Sequence, residues 1–172
     1  MKRKIFILVL FSIVVTMNVF SVDFSAYSPI EFEDFIGIFK STGNDSPGMS
    51  FFGSRSFRVH AILNEFPREI DDNDLNNIRS TLRSLGFNPD MASEFGYKIE
   101  YIFPSNVYWK EETRLIFFIQ KVQRQYFERE YKLNDTIYWF LVFSQFSTFT
   151  QEGYFLISDF INKEQFVRYG LE

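Results

Sequence analysis

Thr136-Ile137-Tyr138-Trp139-Phe140-Leu141-Val142-Phe143 is the stretch that decides the fold. A strand with one wet face alternates apolar and polar residues, whereas this run is apolar on both parities and so demands cover on both sides. Leu133-Asn134-Asp135 ahead of it is turn chemistry. Tyr154 to Phe160, across a loop holding Gln151, Glu152 and Gly153, is the expected hairpin neighbour. Upstream, Leu115 to Ile119 is a short apolar run that suits another buried strand. Ile119, Val122 and Tyr126 follow at helical intervals amid Gln, Arg and Glu, so residues 120–131 read as a helix in preference to a continued strand.

Further out, the two periods separate cleanly. Gly96 to Phe103 alternates, with Tyr97, Ile99, Tyr101 and Phe103 in phase against Lys98 and Glu100, and Pro104 closes it. Residues 56–66 alternate likewise: Phe57, Val59, Ala61 and Leu63 on one side, Arg58 and His60 on the other, stopped by Pro67. Between these strands, Asp71, Asp72 and Asp74 open the clearest helix. Its apolar stripe is Leu75, Ile78, Leu82 and Leu85, its wet side Arg79 and Arg83; Gly86 ends it and Pro89 opposes its resumption. Ser28-Pro29-Ile30-Glu31 has the composition of a helix start, and Phe32, Phe35, Ile36 and Phe39 predict a helix over 29–40. Residues 41–54, rich in Gly and Ser, read as a loop, and the polar tail from Asn162 is expected to fray.

Helices mixed irregularly with hairpin-like strands predict an α+β fold: an antiparallel or mixed curled sheet packed with two or three helices, a small partly open barrel being one form it can take. The chain of 172 residues has room for one such domain, expected over residues 22–172. It has no Cys, which excludes disulfides, thiolate metal sites, a Cys nucleophile and a lipid-modified N-terminal cysteine. Packing alone must hold it. A domain of this size buries about 70 % of its unfolded surface. The 24 Phe bring large apolar area with few rotatable bonds, and scarce Ala beside plentiful Phe, Ile, Asn, Lys and Tyr is also what AT-rich codon usage produces.

The N-terminus reads as an address. Lys2, Arg3 and Lys4 precede an apolar run from Ile5 to Val15, and Val19 and Ser21 occupy the third and first places before an expected cut after Ser21. The competing reading is an uncleaved anchor reaching Phe20; Thr16 and Asn18 interrupt that stretch, and a span needs about 20 mostly apolar residues. Cleavage removes three of the 18 basic residues and none of the 22 acidic ones, changing the net charge from −4 to −7. So acidic a body lacks the clustered Lys and Arg that phosphates require, which excludes nucleic acid as a partner. The expected setting is periplasmic or secreted, with no transmembrane span after cleavage.

Lys132 to Phe143 followed by Gly153-Tyr154-Phe155-Leu156-Ile157-Ser158-Asp159-Phe160 resembles the final strand pair of small exported spirochaete proteins of unknown function, over about residues 113–161. Those proteins often carry glycine where this chain has Asn134. The resemblance implies an envelope setting and transfers no functional residue.

Few residues invite chemistry. His60 is the only imidazole, with no nucleophile elbow around Ser54 or Ser56, and its strand phase points it away from the core; it reads as structural or solvated. Asp72, Asp74 and Asn76 fit alternate places of a calcium loop, but Asn77 stands at the sixth place and Arg83 at the twelfth, so helix capping is the better account and no metal is assigned. A glycosidase needs two acids about 5–10 Å apart in a cleft. Glu111 and Glu112, or Glu94 and Glu100, read instead as solvated surface. Tyr108 and Trp109 form the candidate binding site, an aromatic platform for a sugar or peptide; the plainer account is a loop pinned by tucked-in rings, with Trp139 in the core.

The expectation from these readings is an exported, non-catalytic envelope protein that binds an envelope protein or polymer or serves the envelope structurally, with no cofactor. The alternatives are a carboxylate-dependent hydrolase of envelope polymers and a small outer-membrane β-barrel. Against the last stand two amphipathic helices and a charged rather than aromatic final residue, Glu172.

Overall fold

The computed structural model describes residues 24–45, 50–52, 55–105, 108 and 110–172. The expected signal segment and its cut after Ser21 lie outside the described residues. In chain order the elements are β1 (Ser28–Pro29), α1 (Phe32–Asp45), β2 (Ser50–Phe52), β3 (Ser56–Ile62), β4 (Arg68–Glu69) and α2 (Asp72–Ser84). They continue with β5 (Phe95–Pro104), β6 (Glu112–Gln120), α3 (Lys121–Glu130), β7 (Thr136–Ser147), β8 (Glu152–Asn162) and α4 (Lys163–Arg168), with short 3-10 turns at Phe24–Ala26 and Pro89–Glu94.

The fold is α+β. Eight strands form one mixed, open sheet in the order β1-β3-β7-β8-β6-β5-β4, with β2 also pairing β7. The apolar run does become a doubly covered central strand: β7 pairs antiparallel with both β3 and β8. The helical reading of residues 120–131 is right as well. Because α3 intervenes between β6 and β7, β8 can insert beside β6 and pair with it in parallel. β1 and β3 are the other parallel pair.

The sheet is strongly curled. β7 and β5 stand three places apart in the sheet, which in a flat sheet means about 14 Å at normal strand spacing. Yet the Trp139 indole N–H of β7 donates to the Tyr101 hydroxyl of β5 at 3.1 Å. Inside this curve Phe117 of β6 lies 5.1 Å from Tyr101, 5.3 Å from Phe155 and 5.9 Å from Trp139, ring centre to ring centre. α1 packs in the concavity through Phe35, whose ring contacts Phe39, Phe57, Phe117 and Phe155. Phe127 of α3 stacks on Trp139 and Tyr131 and closes one end. The convex face is covered in two halves. Ile78 and Leu82 of α2 bury Ile116, Phe118, Tyr154 and Leu156; over Phe140 lie Phe24 and Tyr27 from one end of the described chain, and Phe24 in turn stacks on Tyr169 from the other.

Several local expectations are corrected. Ser28-Pro29 does not start α1; it is an edge strand, where a proline without N–H is tolerated. The Ile30 N–H donates to the Arg58 carbonyl at 3.0 Å, which keeps the chain extended, and helical bonding begins only with the Phe35 N–H on the Glu31 carbonyl. The expected loop 41–54 holds the end of α1 and β2, while residues 46–49 and 53–54 lie outside the described residues. Pro89 opens a 3-10 turn capped by Asn88, since proline suits a first helical position. Strand β3 stops at Ile62, short of residue 66. The tail does not fray: Asn162 caps α4 reciprocally with Gln165, and Phe166 stacks on Tyr138 at 3.9 Å.

Asp159 sits beside a bulge where Phe140 pairs Asp159 but Leu141 pairs Ile157. Burial raises its carboxyl above the ordinary 3.8, offset in part by the Phe160 N–H that donates to it. The folded chain therefore binds the proton more tightly than the unfolded one, and stability falls as pH rises through this window. Asp159→Asn is expected to raise the melting temperature at neutral pH, and the gain should vanish below about pH 3.8, where both states carry the acid. In urea titrations Phe35→Ala should cost about 3–5 kcal/mol, the usual loss for a buried ring.

Candidate functional site

The acidic cluster at the start of α2 is a helix cap. The Asp71 carboxylate accepts the Asp74 N–H at 2.9 Å, and the Asp74 carboxylate accepts the Asp71 N–H at 3.0 Å. The first of these bonds holds the Asp71 carboxyl below the ordinary range. Asp74 has a second partner: it accepts from the Lys98 ammonium at 2.7 Å. Lys98 also lies 3.1 Å from Glu100, which pairs in addition with Arg68. Glu65 completes the group by accepting the Glu100 backbone N–H at 3.1 Å.

Glu100 is therefore not solvated surface, as its sequence neighbourhood suggests; its side chain is 5 % exposed. The reason is its place on the convex side of β5, where Lys98, Arg68 and Glu65 close around it and only paired charge is tolerated. Burial of Lys98 works against its charge, but the bonds to Asp74 and Glu100 outweigh that and hold the ammonium above the ordinary lysine value. An amine kept protonated is no nucleophile. This cluster ties α2 to β5 and offers no reactive group.

The other candidates are dispersed. Glu112 is a surface residue paired with Arg114 at 3.0 Å, and the Glu111 carbonyl accepts the Ser105 N–H across the β5–β6 turn. Glu94 ends the 3-10 turn that opens with Pro89. Tyr108, in the same β5–β6 connection, is 95 % exposed, so it is not a tucked-in ring; Trp109 lies outside the described residues. Trp139 is buried, as expected. Among the described residues no group of three or more acidic or His side chains is placed to hold a metal ion, and no helix is long and apolar enough to cross a membrane.

One concavity among the described residues is not announced by the sequence. Because the sheet curls without closing, β3 and β5 approach each other across a cleft of ≈ 460 Å³. Its walls are His60, Ala61 and Ile62 of β3 and Tyr101, Ile102 and Phe103 of β5; Phe32 and Glu33 of α1 stand at its back. The Phe32 ring meets Tyr101 at 5.0 Å and Phe103 at 5.7 Å, so α1 seals the gap from inside. His60 is half-exposed on this rim, with Nε2 3.8 Å from a Glu31 carboxylate oxygen. A second hollow of ≈ 260 Å³ continues from His60 along Arg58 towards Tyr138 and Phe166.

No protein-family model, curated protein or solved structure matches this chain.

Lys98→Met, which takes the cation from the buried Asp74 and leaves Glu100 with Arg68 alone, is expected to cost about 3–5 kcal/mol. Neutralising the partners as well, in Asp74→Asn/Lys98→Met/Glu100→Gln, should recover most of that loss in chemical denaturation.

Proposed function

We propose that this chain is an exported, non-catalytic binding module of the cell envelope, with the cleft between β3 and β5 as its binding site. The observation that carries the reading is the lining of that cleft: strand edges and apolar side chains around one carboxylate, Glu33, and one imidazole, His60. Two acids facing across a gap, as glycoside hydrolysis uses them, are not what this lining offers. The carboxylates with the most distinctive surroundings are otherwise engaged, Asp71 as a cap and Asp74 and Glu100 as partners of Lys98. A cleft of this size and mixed lining suits recognition of a ligand or a segment of a partner.

The export part of the reading rests on Lys2, Arg3 and Lys4, the apolar run to Val15 and the cut expected after Ser21. The open sheet with two parallel pairs weighs against an outer-membrane barrel, which closes an antiparallel ladder.

Intact-mass analysis of the protein recovered from native cells should give a chain starting at Val22, extracted without detergent. Retention of Met1 in that material refutes the export reading. Purified protein incubated with isolated envelope polymer should release no soluble fragments; release that disappears in Glu33→Gln or in Glu111→Gln/Glu112→Gln replaces this reading with the hydrolase.

A further inference from the structure

The cleft is bounded by two strand edges that, among the described residues, have a strand neighbour along only part of their length. β1 covers β3 only at Phe57 and Arg58, and β4 covers β5 only at Tyr97 and Lys98. Alternation then fixes which backbone groups face the gap. The Arg58 carbonyl accepts from Ile30 on the edge side, and Leu63 bonds Asp135 and Asn134 on the β7 side. The N–H and C=O of His60 and Ile62 therefore point to the edge, out of the sheet. On β5 the Gly96 carbonyl and the Glu100 N–H face the β4 side, which aims the Ile102 backbone at the same gap.

Such edges are normally blunted by charge, proline or cover. Here β5 is blunted at Glu100 by the Glu65 carboxylate and ends at Pro104, but the stretch between is not. Both lips instead carry exposed isoleucines, Ile62 at 53 % and Ile102 at 49 %. The cleft itself is acidic: Glu33 lies in it and Glu31 at its rim, and among the described residues no Lys or Arg lines it, Arg58 lining the neighbouring hollow instead.

We propose that this seam binds an extended, basic segment of a partner protein, added as a strand along the β3 edge between His60 and Ile62 and facing Ile102 of β5. The inference rests on the binding reading above and names its ligand class. Main-chain hydrogen bonds from the edge supply affinity, apolar side chains at alternate places rest on Ile62, Ile102 and Phe103, and a Lys or Arg of the peptide reaches Glu33 and Glu31. A second copy of this chain is the poorer occupant, because antiparallel pairing of two β3 edges brings both sets of Glu31 and Glu33 together.

The test uses the purified protein and a library of acetylated, amidated heptapeptides with Val, Ile or Thr at alternate places and every residue type between. Selection should enrich Lys and Arg. The best peptide should slow amide exchange at His60, Ile62 and Ile102, and methylation of its own backbone nitrogens on the bonded edge should weaken binding by about tenfold or more. Ile62→Pro removes an outward N–H without breaking a bond to β7 and should abolish binding in a protein whose near-ultraviolet spectrum is unchanged. Should that variant not fold, Glu33→Lys decides, by reversing the charge preference of the selected peptides. The proposal is overturned if no sequence is enriched, if N-methylated peptide binds equally well, or if a dimer protects the same amides without peptide. Each failure leaves the intact-mass and turnover results untouched, so loss of this ligand class is distinguishable from loss of the export reading.

Discussion

The hydrogen bond from the Trp139 indole to the Tyr101 hydroxyl marks the constraint on which the architecture turns. Two strands separated by two others are drawn together on the concave side, and the rings of Phe117, Phe155 and Phe35 fill what the curvature encloses. Burial raises the Tyr101 hydroxyl well above its ordinary value, so the bond is made by a neutral phenol that accepts and never carries charge in the core. Aromatic side chains suit this geometry: each spans a wide gap with two rotatable bonds, and tilted and edge-on contacts recur throughout the cluster. Without Cys, the curve is held by ring packing together with polar contacts such as this one.

From that curve the cleft follows. A flat sheet would place β3 and β5 far apart, and a closed barrel would pair them and leave no cleft. The actual sheet stops between these forms, and α1 occupies the concavity with Phe32 against the far wall. The charged cluster of Lys98, Asp74 and Glu100 lies on the other face, where it fixes α2. Along β5 the two meet: Glu100, tied to Lys98 and Glu65, is followed two residues on, on the same face, by the exposed Ile102.

The legible parts of the fold were those where one residue's pattern met no competitor. β7 was readable because apolar residues on both parities leave few options, and α2 because Asp71, the Leu75–Leu82 stripe and Gly86 agree with one another; Gly86 adopts a φ of +80°, which glycine takes without strain. Ser28-Pro29 misled because the same residues suit a cap and an edge, and the choice is made by Arg58, some thirty positions away. α4 was missed because its apolar partner, Tyr138, belongs to a distant strand. Glu100 looked like surface because strand phase tells which face a residue takes, not which side chains close around it there. The cleft was illegible for a related reason: it is a property of curvature, and its residues come from α1, β3, β5 and the start of β7, which no local pattern links. Alternation did place His60 opposite the core, which holds.

The roof over Phe140 has a consequence for how the molecule is made. Phe24 and Tyr27, near the start of the described chain, and Tyr169, near its finish, share one aromatic stack. A chain threaded outward from its N-terminus reaches that stack with the first two rings long before the third emerges. Phe24 and Tyr27 can meet Phe140 as soon as it appears, but the stack is completed only when Tyr169 arrives, and such sequence-distant closure is slow to form. During that interval the outer face of Phe24 is an adhesive spot, and a chaperone would have most to gain by shielding it.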